Sequence, residues 1–228
     1  MTHDGFCTRL LCVIQILGLT ILLSGCVNST VEEMTYNEPI AGIGESSVVI
    51  LGRRHNGDYD TEFDFISCIG EYIQRNDPAV KVIDELQFIN QLYPWFEPRT
   101  APLDPRSLDK LLRDSKVAEQ FAIMQLEYII WIDGETRGGF DGNINRSGAM
   151  SCGLQGCFGF GTWGTESEYE ATIWDFTDRI EVGKVSAEAS GQSYMPAIFV
   201  PIPIVAPVQD SACDSVGQQL LEYLSALH

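Results

Sequence analysis

Apolar positions along the chain follow three kinds of pattern, and each predicts a different element. Ser47-Val48-Val49-Ile50-Leu51-Gly52 and Glu127-Tyr128-Ile129-Ile130-Trp131-Ile132-Asp133-Gly134 are near-continuous apolar runs closed by glycine, as strands buried on both faces read. Between them Phe63, Ile66, Ile69, Tyr72 and Ile73 recur at three- and four-residue spacing, which predicts an amphipathic helix over 60–75 carrying Cys68. Asn76-Asp77-Pro78 stops that helix, and Val80 to Ile83 restarts extended chain as a second parallel strand. A short helix over 85–92 follows. Three prolines stiffen the aromatic loop Tyr93 to Pro102, and Asp104-Pro105 opens a further helix with a break near Ser115.

After the second apolar run comes a glycine-rich region, 138–164. Alternating apolar and polar positions in 169–176 and 182–189 predict an antiparallel hairpin. Pro201, Pro203 and Pro207 bar the apolar run 195–207 from a central strand, and Val216, Leu220, Tyr223, Leu224 and Leu227 predict a closing helix. The fold class is therefore α/β (α+β): a mixed β-sheet with two βα crossovers, a C-terminal antiparallel hairpin and a closing helix.

The first residues carry a different message. Leu10 to Leu23 is an apolar run too short to span a bilayer permanently, and it ends in Leu23-Ser24-Gly25-Cys26. That ending resembles the lipobox of bacterial lipoproteins. The resemblance implies a cleaved lipoprotein signal peptide over 1–25 and fatty acylation, palmitate included, of Cys26; an uncleaved anchor or an ordinary signal peptide cut elsewhere is the rival reading. Val27 in place of Asp after the cysteine implies delivery to the outer membrane, with the folded part on its periplasmic face. Residues 26–45 lack periodicity and read as a flexible tether, which leaves 46–228 as a single periplasmic α/β domain.

Charge narrows the partners. With a formal net charge of -18 the surface repels nucleic acid, so no nucleic-acid role is expected; the mean hydropathy of +0.01 suits a chain that builds a core. Once Cys7 and Cys12 leave with the signal and Cys26 takes lipid, Cys68, Cys152, Cys157 and Cys213 remain. Four cysteines admit three pairings. The short span between Cys152 and Cys157 favours a local bridge, which leaves Cys68 with Cys213; a four-thiolate metal site would need two close pairs and only one is present.

The succession of lipobox, tether, Val-Val-Ile-Leu strand, Tyr-Ile-Ile-Trp-Ile-Asp-Gly strand and Ile-Trp-Asp-Phe strand is similar to the periplasmic α/β domain of curli-secretion-type lipoproteins and of lipoprotein activators of penicillin-binding proteins. The Leu-Gly-Arg-Arg-His, Tyr-Pro-Trp-Phe-Glu-Pro-Arg-Thr and Ser-Tyr-Met-Pro-Ala runs also resemble a group of proteobacterial lipoproteins without an assigned activity. The chain departs from the secretion-channel members in having no long alternating segment suited to a membrane hairpin.

Chemistry is sparse. The chain past the signal holds His55 and His228 alone as imidazoles, and no Gly-x-Ser-x-Gly elbow, His-Glu-x-x-His or phosphate-binding loop occurs, so neither a catalytic residue, a metal nor a cofactor is expected. One constellation stands out: Arg53, Arg54 and His55 after the first strand, with Asp133 after the third, fall where parallel sheets collect ligands. The plainer reading pairs the arginines with Asp58, Glu62 or other acids. Tyr93, Trp95, Phe96 and Arg99 are interface anchors if exposed and core if buried. The expectation is a non-enzymatic protein-interaction module held at the membrane by its lipid anchor, with an envelope protein as partner. The alternative is a small-ligand or enzymatic site using Arg53, Arg54, His55 and Asp133.

Overall fold

The computed structural model describes residues 27–35, 47–53, 61–97, 99–103, 105–138 and 145–225. The signal segment, Cys26, Arg54 and His55 lie outside the described residues. The described strands are β1 (Val27–Thr35), β2 (Ser47–Gly52), β3 (Lys81–Ile83), β4 (Leu126–Gly138), β5 (Ser147–Gly153), β6 (Gly156–Asp175) and β7 (Ile180–Pro201). The described helices are α1 (Phe63–Asn76), α2 (Glu85–Gln91), α3 (Pro105–Leu111), α4 (Ser115–Met124) and α5 (Val208–Ser225). Sheet order is β1-β7-β6-β4-β2-β3, with β5 paired to β6. The mixed α/β class is as expected.

Both crossovers are present. α1 returns the chain so that β3 runs parallel to β2, and the α2–α4 segment carries it across to β4, parallel to β2 on the other side. β6 then runs against β4: Phe176 N–H donates to Glu127 O at 2.8 Å near one end, and Gly138 faces Gly164 at the other. A turn through 176–179, closed by Asp178 N–H on the Asp175 carboxylate at 2.8 Å, leads into β7.

Two compact units emerge within the span expected to be a single domain. The larger is the α/β unit, made of 29–136, 166–189 and 208–228. Its helices cover both faces of the strands. On one face α1 lies under Ile50 and Val82, with Phe65, Ile66, Ile69 and Ile73 buried. The stripe keeps the predicted Ile66, Ile69 and Ile73 and differs in its first turn, where Phe63 is 40% exposed and Phe65 is buried in its place. α1 packs on α5 through the Cys68–Cys213 disulfide and through Gly217, where a Cβ would come within 2.8 Å of the Tyr72 ring. On the opposite face Val49, Leu51, Ile129, Trp131 and Trp174 meet Phe88, Leu108, Val117 and Phe121 from α2, α3 and α4. Asp84 and Asp114 cap two of those helices by accepting from Gln87 N–H and Lys116 N–H, each at 2.9 Å.

The described residues of the second unit are 27–28, 137–138, 145–165 and 190–207. Here the glycine-rich region forms β5 and the first half of β6, an antiparallel hairpin with Cys152 opposite Cys157 and a disulfide between them. β6 and β7 are 20 and 22 residues long, and so extend well beyond the strands 169–176 and 182–189 that alternation predicted. Glycines interleaved with Phe158, Phe160 and Trp163 concealed the strand, because glycine reads as a turn residue. Asp133-Gly134 misled in the same direction. It is no turn; Gly134, at φ 140°, lets β4 continue where a Cβ would stand 2.1 Å from Glu168 O.

The tether also needs correction. Val27–Thr35 is a strand next to β7, since edge pairing uses backbone groups and demands no apolar periodicity. The remaining tether residues, 36–45, lie outside the described residues.

Candidate interaction site

β2 ends beside the middle of β4. Gly52 pairs with Ile132, and Arg53 N–H donates to Ile132 O at 2.7 Å, so Arg53 leaves the end of β2 level with half-buried Asp133, which lies inside β4 and not after it as the sequence suggested. The sequence offered there either a ligand-binding group or arginines paired with nearby acids. The geometry gives Arg53 a different set of contacts.

Its guanidinium lies 4.2 Å from the centroid of the Trp131 ring and 5.4 Å from that of Trp174. Nη1 and Nη2 each donate at 3.3 Å, to Pro102 O and Leu103 O. One planar cation thus lies over the aromatic floor of the sheet and holds the end of the aromatic-proline loop, a task suited to a fork of fixed donors. The expected partner Glu62 is engaged elsewhere: it accepts from Thr136 N–H at 2.9 Å and from the Tyr169 hydroxyl at 2.8 Å. Thr136 Oγ1 completes that network at 2.7 Å from Ser167 Oγ and 2.8 Å from Tyr169 Oη. Burial pushes the Tyr169 phenol well above its ordinary range, and the ring stacks on Phe65 with 3.5 Å between centroids. These hydroxyls are structural ties between α1, β4 and β6.

Beneath Arg53 is a cavity of about 40 Å³ lined by Leu51, Gly52, Glu85, Phe96 and Trp131 among others. That holds a water or two and falls far short of the several hundred Å³ of a metabolite pocket. The Glu85 carboxylate, 3% exposed, accepts from Gly52 N–H at 2.9 Å and so belongs to the end of β2. Among the described residues no group of three or more His, Cys, Asp and Glu side chains is placed to hold a metal ion.

The Tyr93 to Pro102 loop divides between the two roles considered for it. Phe96, 4% exposed, is inserted among Phe88, Phe121 and Trp131, with ring centroids 4.8 Å, 5.9 Å and 6.4 Å away. Trp95 is half-buried against the same core. Tyr93, in cis linkage to Pro94, is 68% exposed; Arg99 is exposed as well, and Leu103 is 76% exposed. Thr100 Oγ1 closes the loop by donating to Pro94 O. The result is a turn tied down through Phe96, Thr100 and the Arg53 contacts that leaves an aromatic, a cation and an aliphatic side chain exposed. The run 197–207, which the sequence offers either as a partner-binding or lipid-facing lip or as packed under a neighbouring helix, belongs to an exposed apolar surface of the second unit. Its signal was available in the lack of charge over 147–165 and 189–207.

No protein-family model and no curated protein sequence matches the chain. Among solved structures the PelC dodecamer from Paraburkholderia phytofirmans is similar at 11% identity and a TM-score of 0.43, covering 86% of this chain and 98% of that one. A variant of the same protein follows at 10% identity and a TM-score of 0.42 over the same shares. At that level of likeness nothing about this chain's activity is drawn from either.

Proposed function

We propose that the protein is an outer-membrane lipoprotein, anchored through Cys26, whose periplasmic α/β unit is a non-enzymatic interaction module for another envelope protein. The observation that carries this reading is the aromatic-proline loop: Phe96 and the Arg53 fork fix its backbone, while Tyr93, Arg99 and Leu103 face outward. Tyrosine and arginine on a rigid support are favoured anchors in protein interfaces, because little side-chain freedom is lost on binding. The small cavity at the strand ends and the engagement of Arg53 weigh against the small-ligand alternative.

A photocrosslinking residue placed at Tyr93 or Arg99 in cells is expected to capture one and the same envelope protein, while the exposed Glu119 position on α4 is expected not to. Equal capture from all three positions, or from none, refutes the loop as the contact surface. A small metabolite that binds and loses affinity on Arg53→Ala, with stability unchanged, would restore the alternative.

A further inference from the structure

The second unit carries an apolar surface that its own fold leaves uncovered. Two chain reversals lie next to each other there. The β5–β6 hairpin turns at Leu154, which is fully exposed, and is closed by the Cys152–Cys157 bridge. The other reversal lies between Pro196 and Ile202, where Ile202 N–H donates to Pro196 O at 3.0 Å and Tyr194 pairs with Ile204. Ile198, Phe199 and Val200 form its outer bend, with 74%, 61% and 64% of their surfaces exposed. The reversals meet: Phe158 and Phe199 rings are 5.2 Å apart, and a Cβ on Gly156 would fall within 2.7 Å of Phe199 O. Phe199 has φ 76°, a left-handed conformation that bulky residues avoid, so the fold spends strain to hold an aromatic ring in the open. Ile202 and Val205 add 62% and 61% exposure.

We propose that these paired tips insert into the hydrocarbon of a lipid bilayer as a membrane contact separate from any acyl chain. Three features select lipid as the occupant. First, 147–165 and 189–207 contain no Asp, Glu, Lys or Arg in a chain with 46 such residues, whereas a protein interface carries a polar and charged rim around its apolar centre. Second, Pro196, Pro201, Pro203 and Pro207 bring no backbone N–H, which removes four donors that hydrocarbon would leave unsatisfied. Third, the chain is acidic enough to be repelled by anionic headgroups, and only a segment free of acids approaches them without that cost. The β5–β6 hairpin enters as a tip and not as a span, for its pairing covers seven positions against the roughly 9–11 of a strand that crosses a membrane.

The test uses the full mature protein on vesicles of phosphatidylethanolamine and phosphatidylglycerol whose acyl chains carry a diazirine, with adducts mapped by mass spectrometry. Adducts on 154–160 and 198–205 are the expected result. Ile198→Glu with Val200→Glu should lower the yield of lipid adducts on 154–160 and 198–205 by about tenfold or more, a charge in hydrocarbon being costly, while the Cys152–Cys157 bridge still forms as the check on folding. Adducts confined to the N-terminal peptide overturn the proposal and leave the acyl anchor standing; hairpin adducts with an unmodified Cys26 do the reverse. A photocrosslinking residue placed at Val200 that joins two protein copies, with no lipid adducts at the tips, also overturns it by assigning the face to a second copy.

Discussion

The two disulfides differ in how much chain they enclose, and that difference gives a quantitative test of how the α/β unit is held together. Cys68 and Cys213 are separated by 145 residues, Cys152 and Cys157 by 5. If a cross-link stabilises by restricting the unfolded chain, the long loop is worth about 5 kcal/mol and the short one about 2 kcal/mol at room temperature. The long bridge also joins two helices whose packing is otherwise apolar, with Cys213, Val216 and Leu220 fully buried. Its loss therefore removes a quantity comparable to the whole stability of many domains. The clean perturbation is reduction in a Cys152→Ala, Cys157→Ala background, which opens only the long loop, set against reduction in the Cys68→Ala, Cys213→Ala background. Urea unfolding followed by tryptophan fluorescence reads both, since Trp131 and Trp174 lie in the core. The account expects the long bridge to contribute more by about 3 kcal/mol. Equal effects, or a larger effect of the short bridge, refute the chain-entropy reasoning for this fold.

Three further outcomes follow from the packing. Phe96→Ala should cost about 3–5 kcal/mol, because it empties a site bounded by Phe88, Phe121 and Trp131, and thermal unfolding measures it. Arg53→Ala should lower stability by about 1–3 kcal/mol and speed proteolysis within 93–103, and Arg53→Lys should rescue little, since lysine cannot make both carbonyl contacts over the ring; wild-type proteolysis rates in both variants would contradict this. Burial raises the phenols of Tyr128, Tyr169 and Tyr223, the last pushed up to about 12, with Asp175 adding to the effect on Tyr128 and Tyr223. A raised folded pKa means that the unfolded chain releases its proton first: the contribution is intact below pH ~10 and is lost as pH rises toward the folded values. Urea midpoints that stay level from pH 8 to 10 and fall from 10 to 12 are expected, and Tyr223→Phe should lessen the fall.

The α/β unit was largely legible in the sequence because burial on both faces leaves near-continuous apolar runs, as in β2 and β4, and because Asn76-Asp77-Pro78 and Asp104-Pro105 mark helix boundaries by their own chemistry. The disulfide partners followed from counting cysteines. What escaped was the second unit, whose strands alternate glycine with phenylalanine and so carry residues normally taken as turn formers. Gly134 and Gly159 are instead places where two backbones approach too closely for a Cβ. β1 was hidden for another reason, since a backbone ladder at a sheet edge leaves no periodic trace. At the site, sequence located the carboxyl end of β2 and misplaced Asp133, which lies inside β4. It could not tell that Trp131 and Trp174 would lie beneath Arg53, because that requires the register of β2 on β4 and the return of the chain through β6.

The account's central claim is that this is a lipid-anchored envelope protein, and the mass of its mature N-terminus tests that most directly. Protein extracted from cells grown with labelled palmitate, digested and analysed by mass spectrometry, should begin at Cys26 and carry both the label and the added acyl mass. A mature chain that begins at any other residue, or a Cys26 without fatty acid, contradicts it.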